Sequence, residues 1–113
     1  MDNKDRQCLT KIYNHITSIL TYCKNCLNYE DFQNNPMRLE ACVFNLMQIG
    51  ELAKTALSDT IKEQIPSIPW KQIYGMRNRI VHGYDGIEMK IVWETITNDL
   101  PKLQKELKDF LLL

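Results

Sequence analysis

Nowhere does the chain run apolar for anything near the ~20 residues that span a bilayer, so a transmembrane protein is excluded from expectation. The opening, Met1-Asp2-Asn3-Lys4-Asp5-Arg6, is charged and has no apolar block behind it, which argues against a secretory leader and for a cytoplasmic protein. There is no excess of charge of either sign, with 14 Lys plus Arg against 14 Asp plus Glu. A global field that gathers nucleic acid is therefore absent, and any RNA contact must come from a local cluster such as Lys71, Arg77 and Arg79. Strand-period segments, internal repeats and low-complexity tracts are also missing. Cys23-x-x-Cys26 has no second Cys-x-x-Cys or His pair to complete four zinc ligands, so Cys8, Cys23, Cys26 and Cys42 read as reduced thiols, several of them small buried hydrophobes.

What is present is helical periodicity. Leu9, Ile12, Tyr13, Ile16, Ile19, Leu20, Cys23 and Leu27 recur at three- and four-residue steps, predicting an amphipathic helix from about Asn3 to Leu27. Residues 28–34 are polar and read as a loop. Asn35-Pro36 then supplies a cap and a proline at the first helical position, opening a helix to about Ser58 with Leu39, Cys42, Val43, Leu46, Ile49, Gly50, Ala53 and Leu57 along its stripe. Gly50 on that stripe suggests close approach of a neighbouring helix. Phe44 and Met47 lie off the stripe, toward the face that carries Glu51, and suit either a homodimer surface or ordinary exposed hydrophobes.

The segment 58–67 is a connector with room for one short helical turn. A third helix is predicted from Pro69 to His82, ended by Gly83 and Asp85-Gly86, and a last helix from Glu88 to Leu111 in which Pro101 predicts a kink about one turn upstream without a full break. At this length the elements make one domain, 1–113, and an all-α, up-and-down bundle of four to five helices.

Polar chemistry concentrates at the end of the third helix. Arg77 falls on a line shared with Trp70, Ile73 and Val81, all within about 40° of it on a 3.6-residue helix. A guanidinium on an apolar stripe needs a partner or a cleft beside it, because leaving it desolvated and unpaired costs several kcal/mol, roughly. Glu51 is the natural partner, and a plain structural ion pair is one reading of the two. Asn78 stands one turn before His82, able to orient its ring, to hold a phosphate oxygen or to remain a solvated amide. His82 lies about 140° from Arg77 around an ideal helix, so the two converge if the helix, ended by Gly83, frays at His82 or if two copies line one cleft. His15, on the edge of the first helix, reads as structural.

These blocks resemble a known family. Ile68-Pro69-Trp70-x-x-Ile73-x-Gly75-Met76-Arg77-Asn78-Arg79-x-x-His82-Gly83-Tyr84 is flanked by Ile49-Gly50-Glu51-Leu52-Ala53-Lys54 and by Ile91-Val92-Trp93-Glu94-Thr95 with Asn98-Asp99-Leu100-Pro101. In that order they resemble the HepT-like branch of the HEPN superfamily, over 49–107 by motif and elsewhere by helix layout. Glu88 departs from the pattern, standing where an aspartate cap is expected. The resemblance implies the toxin of a type VII HEPN/MNT toxin–antitoxin pair: a metal-independent endoribonuclease, without cofactor, acting as a homodimer on RNA rather than DNA. It implies Arg77 and His82 as catalytic residues and Asn78 and Glu51 as supporting ones. Lys54 matches the family's second polar residue on that helix. Tyr84 is the implied site at which a partner nucleotidyltransferase attaches AMP and silences the toxin. A non-catalytic nucleotide- or RNA-binding module that docks the nucleotidyltransferase is the alternative, and a purely structural bundle a third.

Overall fold

A computed structural model describes residues 1–83 and 89–113, excepting the side chains of 82 and 83. Its described elements are α1 (Asn3–Tyr22), α2 (Tyr29–Gln33), α3 (Pro36–Thr55), α4 (Asp59–Gln64), α5 (Trp70–Gly83), α6 (Met89–Glu94), a π-helical turn (Thr95–Asp99) and α7 (Leu100–Leu111). Tyr84, the expected modification site, the expected turn Asp85-Gly86 and the departing cap position Glu88 lie outside the described residues.

Side-chain bonds fix the topology. Arg6 Nη2 donates to the Leu111 carbonyl at 3.0 Å and Gln104 Nε2 to Thr17 Oγ1 at 3.2 Å, so α1 and α7 run antiparallel. His15 Nδ1 meets Asn45 Oδ1 at 2.7 Å, and the Cys23 and Cys42 sulfurs lie 3.6 Å apart, so α1 and α3 do too. Tyr74 donates to the Ala53 carbonyl at 3.2 Å and Arg77 Nε to Glu51 Oε2 at 2.8 Å, setting α5 antiparallel to α3. The lateral order is α5, α3, α1, α7, as an up-and-down bundle requires. Leu9, Ile12, Ile16 and Ile19 of α1, Cys42 and Ile49 of α3, and Leu103, Leu107 and Leu111 of α7 form its core. No described helix is long and apolar enough to cross a membrane.

The N-terminal half departs from the periodic reading. α1 stops at Tyr22, and Leu27, which continues the stripe in sequence, is exposed. Polar chemistry explains the break: Asn28 Oδ1 accepts from the Asp31 N–H at 2.9 Å, and Asp31 Oδ2 accepts from the Leu27 N–H at 2.9 Å. That reciprocal capping opens α2 inside the segment expected to be a loop. Phe32 of α2 is fully buried and stacks on Trp93 of α6 with ring centroids 5.2 Å apart.

Elsewhere the caps behave as their residue types predict. Asn35 Oδ1 accepts from the Arg38 N–H at 3.1 Å, with Pro36 at the first turn of α3. α3 ends at Thr55, short of Ser58, because Ser58 instead caps α4, its Oγ accepting from the Ile61 N–H at 3.2 Å. Buried Asp5 accepts from the same serine twice, from N–H at 3.0 Å and from Oγ–H at 2.6 Å. Those two bonds, side chain first, hold the Asp5 carboxyl below the ordinary carboxylate range against the opposing effect of burial.

Near Pro101 the helix does not break. Proline lacks the N–H that would reach the Thr97 carbonyl and its ring crowds that group, so the preceding turn widens into the π turn, with Leu100 N–H reaching back to the Thr95 carbonyl. The disturbance falls about one turn before the proline, as the sequence predicts.

Candidate active site

The site begins with a missing side chain. A Cβ built on Gly50 would stand 2.2 Å from Arg77 Cβ, 2.9 Å from Arg77 Cγ and 3.1 Å from the Ile73 carbonyl oxygen. Glycine is thus required for close approach: α5 lies against α3 where the Arg77 stem crosses the bare backbone. The stem is thereby shielded, and the Arg77 side chain retains 19% of its exposure against 42% for Glu51.

The guanidinium is held on two sides. Its Nε donates to Glu51 Oε2 at 2.8 Å, and its Nη1 donates to Asn78 Oδ1 at 2.9 Å. Among the described residues Nη2 has no hydrogen-bond partner, so one arm of the fork remains for an incoming acceptor. A planar cation fixed in this manner suits the oxygens of a phosphate, since two protein bonds already fix the plane in which its donors lie.

The sequence places Glu51 beside Arg77, and the structure agrees. Asn78, expected to orient the His82 ring, to hold a phosphate oxygen or to remain solvated, has its amide oxygen bonded to the arginine; the His82 side chain lies outside the described residues. The buried line of α5 is also displaced. Val81, expected on the stripe, is exposed, and Ile80 takes the buried position because the crossing at Gly50 turns that side of α5 inward. Lys54 is exposed and has no ion-pair partner among the described residues.

α5 is helical through Gly83, so the backbone does not fray at His82. The position of His82 therefore remains about 140° around the axis from Arg77. The basic cluster Lys71, Arg77 and Arg79 does not form on one face. Arg77 turns to α3, whereas Arg79 lines a groove of about 660 Å³ between α5 and the α6–α7 rod, together with Met76, Glu94, Asn98 and Lys102. His15, bonded to buried Asn45, whose Nδ2 donates to the Ala41 carbonyl at 2.7 Å, belongs to the α1–α3 packing.

Exposed apolar residues gather on the Glu51 side of α3. Met37, Phe44 and Glu51 are spaced by seven, nearly eclipsed on a helix, and both Met37 and Phe44 are exposed. Met47, between Phe44 and Glu51, is half-buried.

The all-helical, antiparallel bundle with an arginine, a carboxylate and an amide joined at the α3–α5 crossing is the class of protein that the geometry defines. Comparison with known proteins gives the family. Residues 10–110 match the family model described as Ribonuclease HepT-like. The chain is 39% identical over 85 residues to "Putative RNase TTE0752" of Caldanaerobacter subterraneus subsp. tengcongensis, covering 75% of each chain. It is 38% identical over 98 residues to "Putative RNase MJ1216" of Methanocaldococcus jannaschii, covering 87% of this chain and 79% of the relative. It is 33% identical over 76 residues to "Probable ribonuclease HepT" of Thermococcus cleftensis, covering 67% and 68%. No solved structure matches the chain. The chain belongs to the HepT-like ribonuclease family.

Proposed function

We propose that this chain is an endoribonuclease working as a homodimer, the toxin of a HEPN/MNT toxin–antitoxin pair, with Arg77 and His82 as its catalytic residues. The observation that carries the reading is the half-buried Arg77 fork, held by Glu51 and Asn78 over Gly50 in a chain of this family. The ribose 2′-OH attacks the adjacent phosphorus as His82 takes its proton. Arg77 stabilises the charge that grows on the non-bridging oxygens, the P–O5′ bond breaks as His82 returns the proton to the leaving 5′-oxygen, and the products are a 2′,3′-cyclic phosphate and a 5′-hydroxyl. These groups supply a proton mover and a fixed cation, so the proposed step is metal-independent.

The homodimer has a geometric motive. With α5 helical through Gly83, Arg77 and His82 do not share a face of one helix, and two copies related by a two-fold axis bring both residue types to one cleft. Met37, Phe44 and Val81 supply exposed apolar surface for that contact. Tyr84, two residues past His82, is the proposed site where a nucleotidyltransferase attaches AMP, adding an anion that competes with RNA for Arg77.

The Glu51–Arg77 pair also supports a second reading, a non-catalytic module in which the arginine is part of the packing and the surface holds RNA or docks the nucleotidyltransferase. Purified Arg77→Ala and His82→Ala, each checked for fold and for dimer, separate the two. The nuclease reading expects loss of RNA cleavage with stability changed by no more than about 1–2 kcal/mol. It also expects wild-type cleavage to persist in excess EDTA with cyclic phosphate ends, and Tyr84→Phe to gain no AMP mass on co-expression with the nucleotidyltransferase. Wild-type cleavage rates in both alanine variants would overturn it, and loss of the dimer in Arg77→Ala would favour the packing role.

A further inference from the structure

At the other end of α3 lies a cluster that the nuclease reading does not use. Cys23 caps the C-terminus of α1, and the antiparallel packing of α1 on α3 sets it opposite Cys42 with the two sulfurs 3.6 Å apart. A turn in which the Cys26 N–H donates to the Cys23 carbonyl at 3.0 Å brings a third thiol close enough to perturb Cys23. Arg38 stands beside all three, its Nε buried without a hydrogen-bond partner and its Nη2 bonded to the Asp31 carbonyl. Two helices, three sulfurs and a cation thus converge where structural cysteines elsewhere stand alone. Cys8 is the internal contrast, a buried thiol whose sulfur faces the Leu52 carbonyl at 3.7 Å.

We infer that Cys23 and Cys42 are an oxidation site, closed by a small peroxide into a reversible disulfide that ties the end of α1 to α3. A disulfide requires sulfurs at roughly 2.05 Å, so the two need approach by only about 1.5 Å, within reach of side-chain rotation. The roles of the pair are unequal. The hydrogen bond from Cys42, with help from Arg38, pulls the Cys23 thiol below its ordinary range, while the proton that Cys42 shares with Cys23, together with burial, pushes Cys42 up. Cys23 is also the sulfur that keeps some exposure while Cys42 has none, so Cys23 is the sulfur that a peroxide reaches and Cys42 the partner that closes the bridge.

The Cys23 thiolate attacks one peroxide oxygen, the O–O bond breaks, and hydroxide leaves, giving the Cys23 sulfenic acid. The Cys42 sulfur then attacks Cys23 sulfur, the S–O bond breaks, and the departing hydroxide takes the Cys42 proton as water. Two thiols are oxidised and one peroxide is reduced to two waters, counting the proton that leaves Cys23. Cys23 is 9% exposed and Cys42 is fully buried, so a water-sized oxidant fits where a bulky disulfide does not. The bridge closes the loop that carries α2, whose Phe32 packs on Trp93 of α6.

Peptide mapping of the whole reduced chain after hydrogen peroxide treatment and alkylation tests the site, independently of any RNA cleavage. A peptide linked through Cys23 and Cys42, released by a dithiol reductant, with Cys8 still alkylated on denaturation, is the expected result. Cys26→Ser should keep that link, and Cys42→Ala combined with Cys26→Ser should leave a Cys23 sulfenic acid that a 1,3-dione probe, present as the chain is unfolded, captures. The wild-type map decides the matter even where Cys42→Ala fails to fold. Four alkylated thiols after a peroxide dose that oxidises free cysteine would overturn the inference, as would a link through Cys26 in place of Cys42. Faster bridging by oxidised glutathione than by peroxide would overturn the assignment of a small oxidant.

Discussion

The α1–α7 and α3–α5 interfaces join antiparallel helices in the same bundle, yet they are built from opposite materials. α7 turns Leu100, Leu103, Leu107 and Leu111 inward, and its polar bonds to α1, Arg6 to the Leu111 carbonyl and Gln104 to Thr17, flank that row. α5 has Ile80 as its buried apolar residue, and the centre of its contact with α3 is a glycine, an arginine stem and an ion pair. Apolar burial contributes roughly 25 cal/mol per Å², and an ion pair of this exposure contributes at most about 1 kcal/mol. At its centre the first interface is therefore held by apolar burial alone. The second surrounds its ion pair with the partly buried Trp70, Ile73, Tyr74 and Met76, and so holds a cation near the surface inside an apolar contact.

Breaking each interface at its centre should separate the two roles. Leu107→Ala removes a fully buried side chain from α7 and leaves a cavity, so a loss of about 3–5 kcal/mol is expected in urea unfolding. RNA cleavage measured well below the new midpoint should stay near wild type, since Leu107 is remote in sequence and role from Arg77. A loss of cleavage without a loss of stability would mean that the two interfaces are not separable.

Gly50→Ala should do the reverse. The added Cβ meets the Arg77 Cβ and the Ile73 carbonyl, neither of which is a flexible chain end, so α5 must shift. About 1–3 kcal/mol of strain is expected, offset in part by the ~1 kcal/mol by which alanine is the better helix former. The Arg77–Glu51 geometry should be lost, and cleavage with it, at temperatures where the variant is still folded.

How much of this contrast is legible in the sequence depends on the range of each signal. Gly50 stands out because a glycine on an apolar stripe has a local cost that only packing explains, and Glu51 is the carboxylate next to it. Asn35-Pro36 is a local cap, legible as it stands, whereas Ser58 fits the end of the second helix by periodicity and is seen to cap α4 only in the structure. The end of α1 is not legible from periodicity, because Leu27 fits the period and period alone does not register that Asn28 and Asp31 offer the backbone a better arrangement. A five-residue helix with Phe32 as its buried anchor has too few turns to show a period at all. Val81 and Ile80 are both apolar, and which of them faces inward is decided by the crossing at Gly50, a tertiary fact.

A smaller effect is expected at the joint that ties α4 to α1. The Asp5 carboxyl is depressed in the folded protein, so its contribution is fully present above the unfolded value of about 3.8 and is lost as pH falls through the folded value. Ser58→Ala removes the hydroxyl that donates to Asp5 and caps α4, costing about 1–2 kcal/mol at pH 7. Urea midpoints measured from pH 7 down to pH 3 should fall less steeply below about pH 4 in the variant. Equal slopes in the two proteins would detach the acid sensitivity from this pair.

The smallest effect is the sharpest control on the role of Gly50. Gly75 lies on α5 itself, and a Cβ built there meets nothing within 4 Å. Gly75→Ala thus adds helix propensity without a clash and should stabilise the protein by roughly 0.5–1 kcal/mol, leaving cleavage intact. Two glycine-to-alanine changes at one helix pair then move in opposite directions, and only the contact with Arg77 distinguishes them. Thermal midpoints of both variants measured side by side check this. A fall at Gly75 as large as the fall at Gly50 would mean that α5 tolerates no added bulk on either face, and that the clearance at Gly50 is not specific to the arginine.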